Sequence, residues 1–267
     1  MTWTYFFRRL TKNPAYYKLE SAKAEHLNAF MGALVNTSLA KLVASGCVEY
    51  NSEEETVTAT TLGRLASFYY LSHETIEYLN GALTPFADPD SLISVLASAK
   101  EFFGLPVRHN EDVLNEALTH LVPLKVPKHD LDNPHVKANL LIQAHLQRCP
   151  LPITDYFTDT KSVLDQSIRV LQGMIDVSAH KGHLQTTINL VHLMQMIIQG
   201  RWLDQSTFGN IPYFTDRTVR KLATLGIYYL PQLVERIGGN LRRFTKSELQ
   251  EGFSVSSSDP NSYRTRS

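Results

Sequence analysis

The chain has 267 residues, 43% of them apolar, which supports a buried core and excludes global disorder. Lysine plus arginine and aspartate plus glutamate stand at 26 each, so no overall basic charge announces a nucleic-acid partner, although a local surface could still provide one. The two cysteines, Cys47 and Cys149, lie in separate segments, so the expectation is a reducing intracellular compartment and no disulfide framework.

The opening stretch, WTYFFRRLTKNPAYY, reads as a short aromatic-rich helix that stops at Pro14. It lacks the apolar run of a signal peptide. No stretch approaches the roughly 20 apolar residues that cross a bilayer, so a soluble intracellular protein without a membrane partner is expected. Leu27, Phe30, Met31, Leu34, Val35, Leu39 and Leu42 then repeat at near-helical spacing, with Gly46 as the stop. The sequon Asn36-Thr37-Ser38 falls inside this pattern and is read as chance. Cys47–Tyr50 and, beyond the acidic tip NSEEET, the stretch VTATTLG read as two strands. Helix, strand, turn and strand make the later part of a winged helix. A partial winged helix over residues 1–62 is expected, its earlier helices missing.

From Thr61 to about Lys181 the pattern becomes a series of helices. TLGRLASFYYLSHETIEYLNGAL reads as one long amphipathic segment, and Pro85 and Pro89 mark the loop after it. DSLISVLASAKEF and NEDVLNEALTHLV read as two shorter helices. NPHVKANLLIQAHLQRC has Pro134 at its start and Pro150 just past its end, both favoured helix-boundary sites. A long helix over about 159–181 is broken by Gly182 and followed by LQTTINLVHLMQMIIQGRWL. These segments predict an α-helical bundle over 63–203. Over 204–245 the elements shorten: Thr215 is an N-cap for DRTVRKLATLG, Gly226 ends that helix, and Pro231 begins another. This is a helix–loop–helix, and the Ser-rich segment 246–267 reads as disordered. The fold class is mainly α.

PVRHNEDVLNEAL gathers charged and titratable groups as an active site would. Asn110 suits an N-cap, Glu111 and Asp112 suit the first turn, and Arg108 and His109 can pair with those acids or with a neighbouring helix. With no HExxH spacing and no nucleophile in reach, the stretch reads as a structural anchor. His135, His145, His180 and His183 scatter over bundle helices and read as core or surface residues rather than metal ligands. Neither GxxxxGK[ST] nor G-x-S-x-G occurs, so no nucleotide-hydrolysing motor, hydrolase elbow or catalytic residue is assigned within these residues.

The segment KSVLDQSIRVLQGMIDVSAHK carries more information. Helical spacing sends Val163, Leu164, Ile168, Leu171, Met174 and Ile175 to one side, and Asp165, Gln166, Arg169, Gln172, Gly173 and Asp176 to the other. The polar side is amide-rich, with one arginine and a glycine. Arginine can hold phosphate or stack on a base, glutamine can bond base edges, and glycine permits close backbone approach. An ordinary solvated face accounts for it as well. IPYFTDRTVRKLATLGI has the outline of a helix-hairpin-helix, but Phe214-Thr215 stand where a glycine-rich hairpin would cradle phosphate. Arg217, Arg220 and Lys221 still form a basic edge, and residues 161–243 carry ten Lys/Arg against five Asp/Glu. That charge suits a phosphate backbone, or simply a solvated basic face.

In their order along the chain, TLGRLASFYYLSHETIEYL, LPVRHNEDVLNEAL, NPHVKANLLIQAHLQR, DTKSVLDQSIRVLQGMIDVSAHKGHL, LMQMIIQGRW and IPYFTDRTVRKLATLGI give a chain that resembles the Sec-sixty-three homology unit of Ski-two-like helicases over roughly residues 2–245. The likeness is to C-terminal cassettes, those of the cointegrator-complex branch first and the spliceosomal branch second. The resemblance implies a winged helix, a helical bundle, a helix–loop–helix and an immunoglobulin-like domain stacked on two RecA-like motor domains. A ratchet helix of the bundle lies across the nucleic-acid channel. The segment 161–181 matches that helix, which implies contacts to single-stranded RNA or DNA by Arg169, Gln172, Gln166 and Asp176, with Arg217, Arg220 and Lys221 as a second basic contact.

The aromatic base-stacker of some family members is not evident on this helix, where Asp176 stands beyond Arg169. Both motor domains, the first part of the winged helix and the immunoglobulin-like domain have no counterpart. A fragment, a truncated isoform or an incomplete gene model is therefore expected, with ATP and magnesium belonging only to a parent motor. The implied role is a non-catalytic accessory module that works with RecA-like motor domains or helicase-complex subunits, in the nucleus first and the cytoplasm second. The alternatives are a protein-interaction scaffold docking through Trp3-Tyr5-Phe6-Phe7, or a truncated product without function.

Overall fold

Thr4 opens the first helix, α1 (Tyr5–Lys12), by accepting a hydrogen bond from the Phe7 amide at 3.3 Å. The structure, a computed structural model, describes residues 3–212 and 214–237. Phe6, Tyr17 and Phe30 cluster with ring centroids 5.4 to 6.5 Å apart and tie α1 to the start of α2 (Ala24–Ala44). The chain then turns into β1 (Val48–Asn51), antiparallel to β2 (Thr56–Ala59), with Val48 opposite Ala59. The second strand ends earlier than its pattern suggests because Thr60 leaves to cap α3 (Thr61–Phe68). Its Oγ1 accepts from the Gly63 amide at 3.0 Å and donates to the Gly46 carbonyl at 2.7 Å. A Cβ on Gly63 would stand 1.9 Å from the Cys47 carbonyl oxygen, so only glycine lets α3 lie this close to the strand.

Helix α2 corrects one expectation. Its 21 residues include an 18-residue window of mean hydropathy 1.3, long and apolar enough to cross a membrane by length and composition alone. Counting large apolar residues misses this, because the alanines also raise the mean. The hydroxyls of Thr37 and Ser38 also turn back onto the Ala33 and Leu34 carbonyls, at 2.7 and 2.8 Å. Of its side chains, Leu27 alone is buried.

The segment expected as one helix beyond Thr61 is two, α3 and α4 (His73–Ala82), because Tyr70 sits at φ 53 between them. Pro89, expected in a loop, is the first residue of α5 (Pro89–Ala97), where its fixed φ and missing N–H cost nothing. Asp88 caps that helix by accepting from the Ser91 amide at 2.8 Å, which holds its carboxyl below the ordinary range. The helix does not continue to Phe102; Lys100–Phe102 is a separate 3-10 turn. Then come α6 (Glu111–Thr119), α7 (Pro134–Gln147), α8 (Thr154–His180) and α9 (Leu184–Gln199). Helix α7 is the centre of the bundle, packed by α5, α6, α8 and α9. Even its Lys137, Asn139 and Gln143 are buried. Helix α8 starts at Thr154 rather than Asp159 and, with 27 residues, is about 40 Å long.

The chain divides into two compact units, Met1–Arg201 and Trp202–Ser267. Within the second, Phe208, Leu222, Ile227 and Leu233 form a small core, flanked by Ile211, Phe214 and Val219. Thr215 caps α10 (Asp216–Thr224), accepting from the Thr218 amide at 3.3 Å, and Gly226 at φ 75 turns the chain toward α11 (Leu230–Ile237). The element before the hairpin is only a 3-10 turn, Thr207–Asn210. Phe214 stacks on Phe208 at 6.0 Å, so the hairpin position belongs to the core. The tail expected over 246–267, and the helix–loop–helix beyond 237, lie outside the described residues.

Candidate nucleic-acid interface

Helix α8 is rolled relative to its sequence reading. The buried stripe runs through Tyr156, Asp159, Val163, Ser167, Val170, Leu171, Met174 and Val177, while Leu164, Ile168 and Ile175 are only half-buried. Polar and small residues cause the difference. Ser167 satisfies its hydroxyl on the Val163 carbonyl at 2.7 Å, and Asp159 is ion-paired, so both can lie inside. Gly173, read as a point of backbone approach for a ligand, is buried instead. A Cβ there would meet Leu71 Cδ1 at 2.5 Å, so the glycine lets the α3–α4 junction close onto α8.

That junction receives most of the predicted strand-facing residues. Arg169 is half-buried and donates through Nη1 to the carbonyls of Tyr69, at 3.4 Å, and Tyr70, and through Nη2 to Gln166 Oε1. Carbonyls at a helix C-terminus lack intrahelical partners and carry the negative end of the dipole, so a guanidinium is favourable there. Asp176 accepts a 2.6 Å hydrogen bond from the Tyr69 hydroxyl. That bond, with burial, pushes the phenol up to about 12. Gln166, Arg169 and Asp176 thus gather around Tyr69 and Tyr70. Gln172 is exposed, as is Asp165.

The three bonds of Arg169 leave N–H donors of its fork unused. Its guanidinium stands 5.8 Å from the centroid of the Tyr70 ring, which is 85% exposed, and Phe68 nearby is 79% exposed. Sequence reasoning missed both aromatics. FYY reads as part of one amphipathic helix, whereas Phe68 ends α3 and Tyr70 stands at the break, both exposed. In the second unit, Arg217, Arg220 and Lys221 are exposed on α10 at i, i+3 and i+4, and so share one face.

The other charged cluster is structural. Asn110 precedes α6 as expected but sits at φ 64 without a side-chain cap, and Glu111 Oε2 instead accepts the Arg108 amide at 3.0 Å. The Arg108 guanidinium pairs with Glu111 at 2.8 Å, Asp159 at 2.8 Å and Asp155 at 3.3 Å. Lys137, fully buried, donates to Glu111 at 2.5 Å, Asp159 at 2.7 Å and the Pro106 carbonyl at 2.7 Å. Burial alone would raise the Glu111 and Asp159 carboxyls. Hydrogen bonds from Lys137 and Arg108 outweigh it, so both titrate below the ordinary carboxylate range.

Tyr156 donates to Asn115 Oδ1 at 2.7 Å and is held well above a free phenol, by burial and then by the charges of Glu111 and Asp159. Its ring centroid lies 4.7 Å from Lys137 Nζ, against a cluster in which each charge has an opposite partner, while His109 and Asp112 remain exposed. His135 and His145 bond the Ala97 and Ile197 carbonyls, each at 2.8 Å, which is packing chemistry too.

The model of the Sec63 Brl domain matches residues 59–260, and that of a winged helix-turn-helix domain matches residues 1–52, which include α2. Activating signal cointegrator 1 complex subunit 3 of Rattus norvegicus is 48% identical over 212 residues, 79% of this chain and 10% of that protein. The DExH-box ATP-dependent RNA helicase DExH14 of Arabidopsis thaliana is 44% identical over 257 residues, 96% of this chain and 12% of that protein. The U5 small nuclear ribonucleoprotein 200 kDa helicase of Homo sapiens is 33% identical over 235 residues, 88% of this chain and 11% of that protein. The chain spans about a tenth of the length of these relatives.

Proposed function

The chain belongs to the Sec63 Brl domain family, and from that premise we propose that it is a non-catalytic accessory module of a Ski-two-like helicase that guides single-stranded RNA or DNA along α8 and supports the motor. The observation that carries this reading is Arg169: a guanidinium at the edge of a long helix, with N–H donors unused and the exposed amide of Gln172 one turn away. Gln166 and Asp176, the other two residues expected at the strand, accept hydrogen bonds from Arg169 and from the Tyr69 hydroxyl beside it. The exposed cations Arg217, Arg220 and Lys221 on α10 supply a second phosphate contact.

Two relatives are named as helicases, one of them ATP-dependent, so ATP and magnesium belong to a RecA-like motor that this module joins. The nucleus is the proposed compartment, since one relative is a small nuclear ribonucleoprotein helicase, with the cytoplasm second.

Anisotropy of a fluorescein-labelled oligouridylate or oligothymidylate, titrated with the full chain between about 50 and 200 mM salt, tests the reading. The Arg169→Ala, Arg217→Ala variant binds more weakly, and its salt slope is shallower by about 0.7 for each phosphate contact removed. Unchanged affinity and slope in a folded variant refute the proposal. Gln172→Ala, at an exposed position, separates strand contact from stability.

A protein-interaction role is the second reading, and the bareness of α2 favours it. Trp3 and Tyr5 are also 95% and 88% exposed, although Phe6 is tucked into the aromatic cluster and leaves the expected patch smaller. Recovery of helicase-complex subunits after nuclease treatment is the result this reading requires.

A further inference from the structure

Helix α3 ends in a Schellman motif. The Leu71 amide donates to the Ala66 carbonyl at 2.8 Å and the Tyr70 amide to the Ser67 carbonyl at 3.3 Å. The residue between those bonds must adopt the left-handed conformation, and it is usually glycine because a Cβ is penalised there. Here it is Tyr70, at φ 53. The arrangement holds a strained aromatic residue and leaves its ring 85% exposed, so packing of the ring does not repay the strain. Arg169 fixes the turn by donating to the carbonyls of Tyr69 and Tyr70, and its guanidinium lies beside the Tyr70 ring. Phe68, two residues back at the end of α3, is nearly as exposed. Tyr70 also walls an open cleft of about 640 Å³ whose lining includes Leu42, Ala66 and Leu71.

We propose that Phe68 and Tyr70 are a stacking platform for an unpaired base of the strand held at Arg169. The proposal rests on the guiding role argued above and supplies the aromatic contact that α8 itself lacks. A nucleotide matches the chemistry better than an apolar protein side chain. Its base has a flat π-face for the rings and the apolar cleft, and its phosphate takes the unused guanidinium donors. Along α8, Arg169 is the cation that stands beside an exposed ring, that of Tyr70.

The test compares affinity for oligothymidylate with affinity for an abasic strand of equal length, using the full chain. Tyr70→Gly removes the ring and relieves the strain, so it raises the thermal midpoint while weakening the thymidylate strand by about 5- to 150-fold. Tyr70→Phe keeps the ring and stays within about twofold of wild type. Phe68→Ala weakens the same strand. On the abasic strand Tyr70→Gly and wild type bind alike.

If Tyr70→Gly binds thymidylate as wild type does, the platform is refuted, and a protein side chain becomes the better occupant of the cleft. Equal weakening on both strands refutes it also, since the effect then runs through the position of Arg169. If Arg169→Ala weakens binding and Tyr70→Gly does not, the guiding role stands and only the platform falls. If wild type binds neither strand, both fall.

Discussion

Replacing Lys137 with methionine keeps most of the side-chain volume but removes the buried cation between Glu111 and Asp159. Those carboxylates are 2% and 4% exposed and would then face Arg108 alone. Removing one partner of a buried ion pair costs about 3–5 kcal/mol, because an uncompensated charge is left in the core. In a unit of the size of Met1–Arg201, each kcal/mol moves the midpoint by about 2–4 °C, so calorimetry at pH 7 should record a fall of about 6–20 °C.

The pH dependence carries a sign that separates this account from simple loss of packing. In the wild type both carboxyls titrate below their unfolded values. The stability they contribute is therefore present above about pH 4 and is lost as pH falls through their depressed folded values. In Lys137→Met, burial raises them without the lysine to offset it. The folded state then binds a proton more readily than the unfolded chain, and stability recovers as pH falls from the raised value toward about 4. The deficit against wild type should shrink between about pH 7 and 4.5, and adding Glu111→Gln should recover part of it at pH 7. A deficit below about 1 kcal/mol, or one that is constant with pH, refutes the reasoning.

Three further outcomes follow from the geometry. Arg108→Ala should lower the thermal midpoint and leave strand affinity of the folded fraction unchanged, which anisotropy beside a melting curve can check. Gly63→Ala places a Cβ against the Cys47 carbonyl and should cost at or above the upper end of about 1–3 kcal/mol, read by calorimetry and by faster proteolysis of the winged helix. Tyr69 carries a folded pKa of about 12 against an unfolded value near 10, so its contribution is complete below about pH 10 and disappears as pH rises through 12. Tyr69→Phe should flatten the fall in stability over that window, and an unchanged fall would show that Asp176 does not hold the phenol.

Three helix boundaries were legible from caps and breakers: Pro134 opens α7, Thr215 caps α10, and Gly182 separates α8 from α9, whereas Pro89, expected in a loop, opens α5. The family likeness and the winged-helix type were legible as well, from long motifs in order and from helix followed by paired strands. The break after α3 was not, because the left-handed position carries tyrosine where the sequence signal is glycine. The ion cluster was half-legible. Arg108 and Glu111 sit three apart, but Lys137 and Asp159 join them only where α7 and α8 pack together. Arg169 stood out as the lone cation of an amide-rich face, yet its bonds to Tyr69 and Tyr70 cross about a hundred residues of sequence and leave no local trace.

Helix α8 is pinned at two heights. Asp159 is locked into the ion cluster, and ten residues later, about 15 Å along the axis, Arg169 is locked onto the end of α3. Sliding the rod by a single residue would also roll it by about 100°, which would tear both attachments at once. The helix is therefore indexed like a toothed shaft with two keys, free neither to creep nor to spin in small steps. A load applied at Arg169 has no soft joint between it and the buried charges, so tension there should register first as loosened protection of the Lys137 neighbourhood rather than as local fraying.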